Sequence, residues 1–401
     1  MRDQAAPAGR LRVFAVEDRA VQISWAWLPA TAMTIEVGGR RVEVGTAPPP
    51  WYVGARGRRP APGTAGPGAV TIDGLEPATS YDVALGGPGR PVAKAATVRT
   101  LPPPPGRLLS QFATISDCHI GELSVGPMKR LHDPRPRPTG LVPYPSRCAQ
   151  SAIVAAEAWG AQLLVVKGDL TCEGEPHEIY TAVDLLATGS MPVEVILGNH
   201  DVRGSVDTAA VLTSCGIQVT PAPRARDLPG VRLVLGHSPL PHSHAGAVTG
   251  SDAAALADLA HGAAGPTVVA LHHPPRRGPV QTHYPPSIDR RDSVRLVAAL
   301  AAANPATLIV AGHTHRNRRY RVGGLTVAEV GSTKDYPGQW AGYSVYEGGI
   351  RQVVFRVADP LAMVWTENTR RAMFGVWGWW SPGQLADRCW TLEWPDRIVT
   401  A

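Results

Sequence analysis

From residue 108 onward, short apolar runs rich in β-branched residues alternate with longer amphipathic stretches. The short runs predict buried strands at 111–115, 163–166, 193–197, 231–235, 267–271 and 307–310. The longer stretches predict helices at 146–159, 178–187, 206–214, 252–261 and 291–303. This alternation is typical of βαβ units and predicts an α/β domain. Three later runs, at 325–330, 342–346 and 351–356, predict antiparallel strands.

The first hundred residues show a different pattern. Short alternating runs predict seven strands, at 11–16, 21–27, 33–37, 42–44, 70–72, 81–85 and 96–100. Gly38 and Gly39 mark a hairpin turn, and residues 48–68 form a long Pro/Gly/Arg loop. Trp25 in the second strand and the segment Leu75-x-Pro-x-Thr-x-Tyr81 resemble a fibronectin type III sandwich, in which Tyr81 would be the tyrosine-corner residue. The chain therefore divides into a small all-β domain at 1–100, a proline-rich linker at 101–107 and an α/β domain at 108–360, followed by a Trp-rich extension at 361–401.

Composition narrows the class of protein. With 401 residues, 44% of them hydrophobic and 18% charged, the chain can bury the cores of two or three folded domains. A net charge of +6 attracts anions but is not dense enough to indicate nucleic-acid binding. The sequence has no signal-peptide pattern and no apolar run long enough to span a membrane, so we expect a cytoplasmic protein. The cysteines are odd in number and scattered, which argues against a disulfide framework.

Polar side chains follow five of the predicted strands, at the point where each strand ends. Because the carboxyl ends of strands in an open α/β sheet meet at one crevice, we expect these side chains to converge. Carboxylate, amide and imidazole groups are ligands for divalent Mn, Fe, Co, Ni or Zn. The candidate ligands are Asp117, His119, Asp169, Asn199, His272, His313 and His315.

The ordered motifs D-x-H, G-D, G-N-H-D, H-H-P-P and G-H-x-H resemble the calcineurin-like metallophosphoesterase superfamily over residues 108–357. A His-rich loop at 236–246 resembles that of the bacterial class III cyclic nucleotide phosphodiesterases. The resemblance implies a four-layer α/β sandwich behind the small β-sandwich. It also implies two divalent ions (Mn, Fe, Zn or Co) and a hydroxide that bridges them and attacks phosphorus.

By this resemblance the first metal would be held by Asp117, His119, Asp169 and His315, and the second by Asp169, Asn199, His272 and His313. Asp169 would bridge the two ions. His200 would stabilise the transition state or protonate the leaving oxygen, and Asp201 would orient His200 through a hydrogen bond.

We therefore expect a metal-dependent phosphoesterase that acts on a small substrate, with phosphodiesters favoured and cyclic nucleotides first among them. The alternatives are a phosphomonoesterase or pyrophosphatase and, in another class, a non-catalytic scaffold that keeps the fold. Nucleic acid is not an expected partner. The Trp-rich extension packs onto the rest of the chain in the favoured interpretation; a cap over the site or a homodimer contact is the alternative.

Several further residues are weaker candidates. Cys118 is expected to be buried packing, and Cys172 stands where purple acid phosphatases carry a tyrosine ligand, which argues against an Fe(III)–tyrosinate centre. His273 is expected beside the metals or facing the substrate. Two interpretations are open for three loop histidines, which either line the pocket or lie on a solvated loop: His237, His242 and His244. A basic insertion either grips substrate phosphate or, as the more common outcome, is an exposed loop: Lys129, Arg130, Arg135 and Arg137.

Overall fold

The structure is a computed structural model that describes residues 11–49, 61–125, 131–132, 142–219, 222–281 and 284–395. The strands are β1 Arg12–Val16, β2 Val21–Trp25, β3 Met33–Val37, β4 Arg40–Val44, β5 Gly68–Ile72, β6 Ser80–Gly87, β7 Arg90–Arg99, β8 Leu108–Ile115, β9 Ser124–Val125, β10 Leu131–His132, β11 Leu164–Lys167, β12 Val193–Ile196, β13 Arg224–Leu228, β14 Val231–Leu235, β15 Thr267–Ala270, β16 Thr307–Ala311, β17 Arg318–Val322, β18 Leu325–Glu329, β19 Gln339–Tyr346, β20 Gly349–Arg356 and β21 Cys389–Glu393. The helices are α1 Tyr144–Trp159, α2 Pro176–Leu186, α3 Thr208–Ser214, α4 Gly250–His261, α5 Arg290–Ala303, α6 Pro360–Thr369, α7 Val376–Trp380 and α8 Leu385–Arg388, with a 3₁₀ turn at Met373–Gly375.

The N-terminal region is all-β. Strands β1-β2-β5 form one antiparallel sheet and β4-β3-β6-β7 form another. The β3–β4 hairpin turns at Gly38 and Gly39, both with positive φ, 56° and 78°. The Tyr81 hydroxyl accepts a hydrogen bond of 2.9 Å from the Glu76 backbone N–H, the contact expected of a tyrosine corner. A small β-sandwich therefore precedes the α/β region, as the sequence predicted.

Two six-stranded sheets form the centre of the α/β region. The first has the order β12-β11-β8-β19-β20-β21 and the second has the order β13-β14-β15-β16-β18-β17. Side chains alternate along β14: Leu233 and Leu235 belong to the core shared with the first sheet, whereas Val234 belongs to a separate core formed with α4 and α5. Helices α1, α2, α3 and α6 cover the first sheet. The layers run α-β-β-α, which confirms the predicted four-layer sandwich.

The predicted strands recur with shifted ends, but one pairing differs. Strand β18 is parallel to β16 and antiparallel only to β17, so the expectation of a purely antiparallel strand at 325–330 is wrong. Strands β9, β10, β13, β17 and β21 were not predicted. Each is short or polar, so local pattern alone does not distinguish it from a loop.

The Trp-rich C-terminal segment packs onto the α/β region, as the favoured interpretation expected. Strand β21 pairs antiparallel with β20 at the edge of the first sheet. Helix α6 lies against α1, where the Trp365 and Tyr144 rings stack with centroids 3.6 Å apart. The division at residue 361 stays a prediction.

The β-sandwich is tied to the first sheet by buried polar contacts. Arg351 on β20 pairs with Asp18 at 2.5 Å and donates to the Pro102 carbonyl at 2.7 Å. The Gln22 side chain donates to the carbonyl oxygen of Arg356 at 3.1 Å and accepts from its N–H at 2.8 Å. Such paired bonds fix the β-sandwich against the first sheet. Among the described helices, none has both the length and the apolar character needed to cross a bilayer.

One buried ion pair joins helix α6 to strand β20. Glu367 on α6 lies 2.8 Å from Arg356, and both side chains are buried. Burial alone would raise the pKa of Glu367, but the charges of Arg356 and Arg370 outweigh it and hold the pKa below its ordinary value. Because the folded-state pKa is lowered, the pair stabilises the fold above the unfolded pKa and loses that effect as the pH falls through the folded value.

We therefore expect Glu367→Gln to lower the free energy of unfolding by roughly 3 kcal/mol at pH 7, because it leaves Arg356 buried without a counter-ion. Urea denaturation should show the difference from the unchanged protein shrinking as the pH is lowered below 4.5, the ordinary Glu pKa. Glu347→Gln is the matched control, since Glu347 pairs with Arg107 at the exposed surface. Equal effects of the two substitutions at pH 7 would contradict the buried-pair account.

Candidate metal centre

The candidate residues lie at the seam where the two central sheets meet. Each motif follows the carboxyl end of a parallel strand: β8, β11 and β12 in the first sheet, β15 and β16 in the second. Backbone hydrogen bonds join the loops to one another. Asp117 N–H donates to Gly168 O at 3.0 Å, and Gly312 N–H donates to His272 O at 3.1 Å. The crevice expected at the strand ends is therefore present and shared by both sheets.

Most of the proposed ligands have a left-handed backbone. Residues other than glycine rarely adopt positive φ, and each such residue costs of order 1–3 kcal/mol unless its surroundings fix it. The five values are 53° for Asp117, 47° for His119, 49° for Asp169, 68° for His313 and 50° for His315. The left-handed residues follow β8, β11 and β16, so the chain reverses sharply after three of the five strands.

Two motif glycines make the close approach of these loops feasible. Gly168 has φ +85°, and a Cβ there would lie 2.5 Å from the His272 ring. A Cβ on Gly312 would lie 1.9 Å from the Ser116 hydroxyl oxygen. Any side chain at either position would separate the ligand-bearing loops.

A first cluster of ligand atoms joins Asp117, His119 and His315. His315 Nε2 lies 3.4 Å from an Asp117 carboxylate oxygen and 3.3 Å from His119 Nε2. His119 Nε2 also lies 3.6 Å from Asp169 Oδ2. These atoms are close enough together to share one ion.

A second cluster surrounds His272 Nε2. This nitrogen lies 3.3 Å from Asp169 Oδ2, 3.3 Å from Asn199 Oδ1 and 3.2 Å from His313 Nδ1. The structure thus brings all seven predicted ligands together in the two predicted groups. Asp169 Oδ2 is within 3.6 Å of a histidine from each group.

The ligand atoms are better placed to bind metal ions than to form hydrogen bonds with one another. Two atoms that each lie about 2.1 Å from one ion are about 3.0–3.4 Å apart. The separations of 3.2–3.4 Å given above fall in this range, and the 3.6 Å between His119 Nε2 and Asp169 Oδ2 slightly exceeds it. One nitrogen, His272 Nε2, cannot form hydrogen bonds with all three neighbouring donor atoms, whereas one cation can bind all four. Two buried polar atoms, His119 Nδ1 and Asn199 Nδ2, have no hydrogen-bond partner among the described residues.

The carboxylates and histidines of the site shift one another's pKa values. Burial would raise the pKa of Asp117 and of Asp169, but nearby histidines outweigh it and both values fall. Burial would lower the pKa of His315, yet Asp117 raises it to about 10; the pKa of His272 is raised to about 9 by Asp169 against the same opposition. Burial lowers the pKa of His313 to about 3. Two carboxylates therefore collect positive charge, which is what a cation would supply.

The far nitrogens of three histidines are held in place. His315 Nδ1 lies 2.6 Å from the Asp335 carboxylate, which also pairs with Lys334 at 2.8 Å. His272 Nδ1 donates to Lys167 O at 2.8 Å, and His313 Nε2 donates to the Pro286 carbonyl at 3.0 Å. Such bonds select the tautomer whose other nitrogen faces the cluster.

Sequence reasoning missed Asp335. It lies in the loop after β18, which ends at the same sheet edge as β16 because the two strands are parallel. The available sequence signal was the polar stretch Gly331-Ser-Thr-Lys-Asp335, which directly follows a buried strand. The prediction that this strand is antiparallel places its end at the opposite edge of the sheet from the motif loops.

His200 adjoins the first cluster, with a ring nitrogen within 4.8 Å of ligand atoms of His119 and Cys172. Its backbone N–H donates to Asp169 Oδ1 at 2.8 Å, and its Nδ1 lies 2.6 Å from the Cys172 carbonyl. Nδ1 therefore donates to that carbonyl, and Nε2 is the nitrogen left for a substrate. Burial, joined by the charge of Arg203, keeps the pKa of His200 below its ordinary value.

Arg203 is a second residue that sequence reasoning missed. One guanidinium nitrogen lies 3.0 Å from His244 Nδ1 and donates to it. Another lies 3.0 Å from His200 Nδ1, which already donates to Cys172 O, so this contact places positive charge beside the ring without a hydrogen bond. Arg203 thereby links the G-N-H-D loop to the His-rich loop. Its position just past the motif was the only available signal.

Asp201 has a different role from the expected one. Its carboxylate accepts from Leu170 N–H at 3.2 Å, Thr171 N–H at 2.8 Å and Gly198 N–H at 2.9 Å. It therefore joins the β11 and β12 loops instead of orienting the His200 ring, so that expectation is wrong. Burial raises the pKa of Asp201 to about 6.

The structure places the weaker candidate residues in different environments. His273 is buried against the His313 ring and bonds to Ser238 at 2.9 Å, beside the clusters as expected. Cys118 is buried, and burial raises the pKa of the Cys172 thiol to about 12. Of the loop histidines, His244 reaches Arg203, whereas His242 is exposed and His237 is half-buried. The basic insertion, Lys129, Arg130, Arg135 and Arg137, lies outside the described residues.

We expect Asp201→Ala to destabilise the metal-free protein by roughly 3 kcal/mol, because it leaves buried N–H groups without acceptors at about 1–3 kcal/mol each. Urea denaturation after chelation measures the change without any contribution from bound metal. An unchanged midpoint would contradict the anchoring role. Asp207→Ala, which removes an exposed helix cap, is a milder control of about 1 kcal/mol.

Comparisons with known proteins agree with this geometry. The sequence profile of the calcineurin-like phosphoesterase family matches residues 111–317. A probable cyclic nucleotide phosphodiesterase of Rhodococcus erythropolis is 31% identical over 189 residues, covering 46% of this chain and 60% of that protein. A cAMP/cGMP dual specificity phosphodiesterase of Mycobacterium tuberculosis is 28% identical over 176 residues, with coverage of 42% and 54%. The chain thus matches 60% or less of the length of either relative.

A solved structure supports the fold. The purple acid phosphatase from yellow lupin superposes with a TM-score of 0.50 at 12% identity, covering 98% of this chain and 75% of the plant protein. At this identity the likeness concerns architecture alone. Because the family profile spans slightly more than half of the chain and its motifs form one buried cluster, this protein belongs to the calcineurin-like phosphoesterase family.

Proposed function

We propose that the protein hydrolyses small phosphodiesters with the help of two divalent metal ions. The observation that carries the proposal is the position of Asp169 Oδ2, 3.6 Å from His119 Nε2 and 3.3 Å from His272 Nε2. A carboxylate placed between two sets of donors can bridge two cations and screen their repulsion. A single-ion site would not need donors on both sides of Asp169.

The two ions would be held in the groups described above, with Asp169 common to both. We propose Mn, Fe, Zn or Co, because imidazole and carboxylate donors suit these metals. Bound there, the pair would activate a water molecule near neutral pH and stabilise the charge that develops on the phosphoryl oxygens.

The chain's own residues complete the site. The hydrogen bond from His200 N–H to Asp169 fixes the His200 ring next to the proposed bridge, and the bond from Nδ1 to Cys172 O leaves Nε2 to face the phosphoryl group or the leaving oxygen. Arg203 adds a fixed positive charge behind this ring. We propose that together they stabilise the negative charge of the transition state.

The diester preference rests on the relatives and on the His-rich loop. Both curated relatives are named as phosphodiesterases of cyclic nucleotides. In this chain His244 and Tyr284 extend the aromatic lining outward from His200, with successive ring centroids 6.3 Å apart. We propose that this outer wall receives the organic group of a cyclic nucleotide or another small diester.

We propose the cytoplasm as the compartment. The five cysteines, Cys118, Cys148, Cys172, Cys215 and Cys389, are all described, and each is unpaired. Free thiols are typical of a reducing compartment.

We expect Asp169→Ala to bind neither ion tightly and to lose essentially all hydrolytic activity, since the substitution removes the shared ligand. Metal content after desalting, measured by mass spectrometry, is the direct readout. Two retained ions with full activity would show that the site is misassigned. Asp227→Ala is the control, because Asp227 is an exposed carboxylate paired with Arg232 away from the site.

His200→Ala should retain both ions and lose roughly 10²–10⁴-fold in kcat, because His200 acts on the substrate and holds no metal. Loss of metal with this substitution would instead make His200 a ligand. Kinetics should be compared at equal metal occupancy.

The substrate class is tested with metal-stripped protein resupplied with Mn, Fe, Co or Zn. We expect metal-dependent hydrolysis of bis-p-nitrophenyl phosphate and of 2′,3′- or 3′,5′-cyclic nucleotides to exceed that of p-nitrophenyl phosphate. Turnover of the monoester alone would favour a phosphomonoesterase. Two bound ions without turnover of any ester or of pyrophosphate would favour the scaffold alternative.

A further inference from the structure

The chain beyond the family match reaches back to the proposed first metal. The match ends at residue 317, but residues 377–383 lie directly against the G-H-x-H loop. We call residues 377–383, from Trp377 to Gly383, the C-terminal clasp. Its contacts with that loop are made through both backbone and side chains.

The Ser381 hydroxyl is the central contact of the clasp. Ser381 is fully buried, and its Oγ lies 2.6 Å from the His315 carbonyl and 2.6 Å from the Tyr336 carbonyl. Tyr336 directly follows Asp335, whose carboxylate holds the His315 ring. The single hydroxyl proton serves one of the two carbonyls at a time. The hydroxyl thus lies between the backbone of a proposed ligand and the loop that orients that ligand's ring.

Backbone hydrogen bonds fix the clasp in place. Asn317 N–H donates to Ser381 O at 2.9 Å, and the Asn317 side chain donates to the Pro382 carbonyl at 3.0 Å. A Cβ on Gly383, which has φ +58°, would lie 2.4 Å from Asn317 O. The chain can approach this closely only with glycine at 383.

Two tryptophans cover the loop from outside. The Trp377 ring meets the His315 ring edge-on, with centroids 5.9 Å apart. The Arg316 guanidinium lies 4.6 Å from the centroid of the Trp380 ring, a cation–π contact. Trp377 therefore packs on His315 itself, and Trp380 packs on the neighbouring Arg316.

The contacts of the clasp are unequal between the two proposed metals. They reach His315, which would bind the first ion. Among the described residues, no hydrogen bond or ring contact joins residues 377–383 to the ligands proposed for the second ion alone, Asn199, His272 and His313. His315 also has a left-handed backbone, φ 50°, which its neighbours must hold.

We propose that the C-terminal clasp is a positioning element for the first metal, with Ser381 and Trp377 fixing His315. The inference rests on the proposed dimetal site and adds a dependence within it: affinity at the first position depends on the clasp, and affinity at the second does not. Changes to groups that orient a ligand typically weaken metal binding by roughly 10–100-fold.

The test is a titration of metal-free protein with Mn²⁺, followed by calorimetry and by electron paramagnetic resonance. We expect Ser381→Ala and Trp377→Ala to weaken one of two binding events by roughly 10–100-fold and to leave the other unchanged. At partial loading, the weakened variants should show the six-line spectrum of isolated Mn²⁺, where the unaltered protein shows a coupled pair. Trp377→Phe should restore the unaltered behaviour, because it keeps a ring edge against His315.

Trp379→Ala is the matched control, since Trp379 lies between the two packed tryptophans but is 81% exposed. Thermal unfolding of the metal-free variants separates a local effect from general destabilisation. Unchanged titrations for both variants, or equal weakening of both sites, would overturn the clasp while leaving the dimetal site intact. Fewer than two ions on the unaltered protein would overturn the dimetal site and the clasp with it.

Discussion

Two fully buried carboxylates impose the constraint on which the site depends. Asp117 and Asp169 lie at the seam of the two sheets without solvent contact, and each raises the cost of ionising the other. Removing one such charge from water costs several kcal/mol even after relaxation, so a pair is stable only with compensating positive charge. The nearest histidines supply part of it by taking up protons, as the raised pKa values of His272 and His315 show. Two divalent ions would supply all of this positive charge. The stability of the seam therefore depends on metal binding.

The backbone is locally strained at the residues that surround these carboxylates. Five proposed ligands occupy left-handed conformations, and Gly168 and Gly312 let neighbouring loops approach to distances that no side chain would allow. Residues outside the proposed ligand set hold that geometry: Asp201 ties two loops together, Asp335 fixes one histidine ring, and Ser381 closes the loop from the C-terminal side. Strain held in this way is a common property of functional sites, because rigid neighbours place ligands before the ion arrives.

The motif residues of the site could be predicted from the sequence, but the residues that hold them in position could not. Strand-terminal Asp, Asn and His residues could be predicted because local patterns reveal strand ends, and parallel strands deliver those ends to one edge. Asp335 was missed because the pairing direction of β18 is a tertiary property. Ser381 is separated from His315 by 66 residues and carries no motif. The role of Asp201 was misjudged because adjacency in sequence to His200 suggested a contact that the turn geometry does not make.

The central claim is that Asp169 bridges two metal ions. Anomalous X-ray scattering from crystals grown with Mn²⁺ tests it most directly, because the scattering locates each ion independently of activity. A pair of ions bridged by Asp169 would give two peaks about 3.5–4 Å apart, with one Asp169 oxygen between them. A single peak, or two peaks of which only one contacts Asp169, would contradict it.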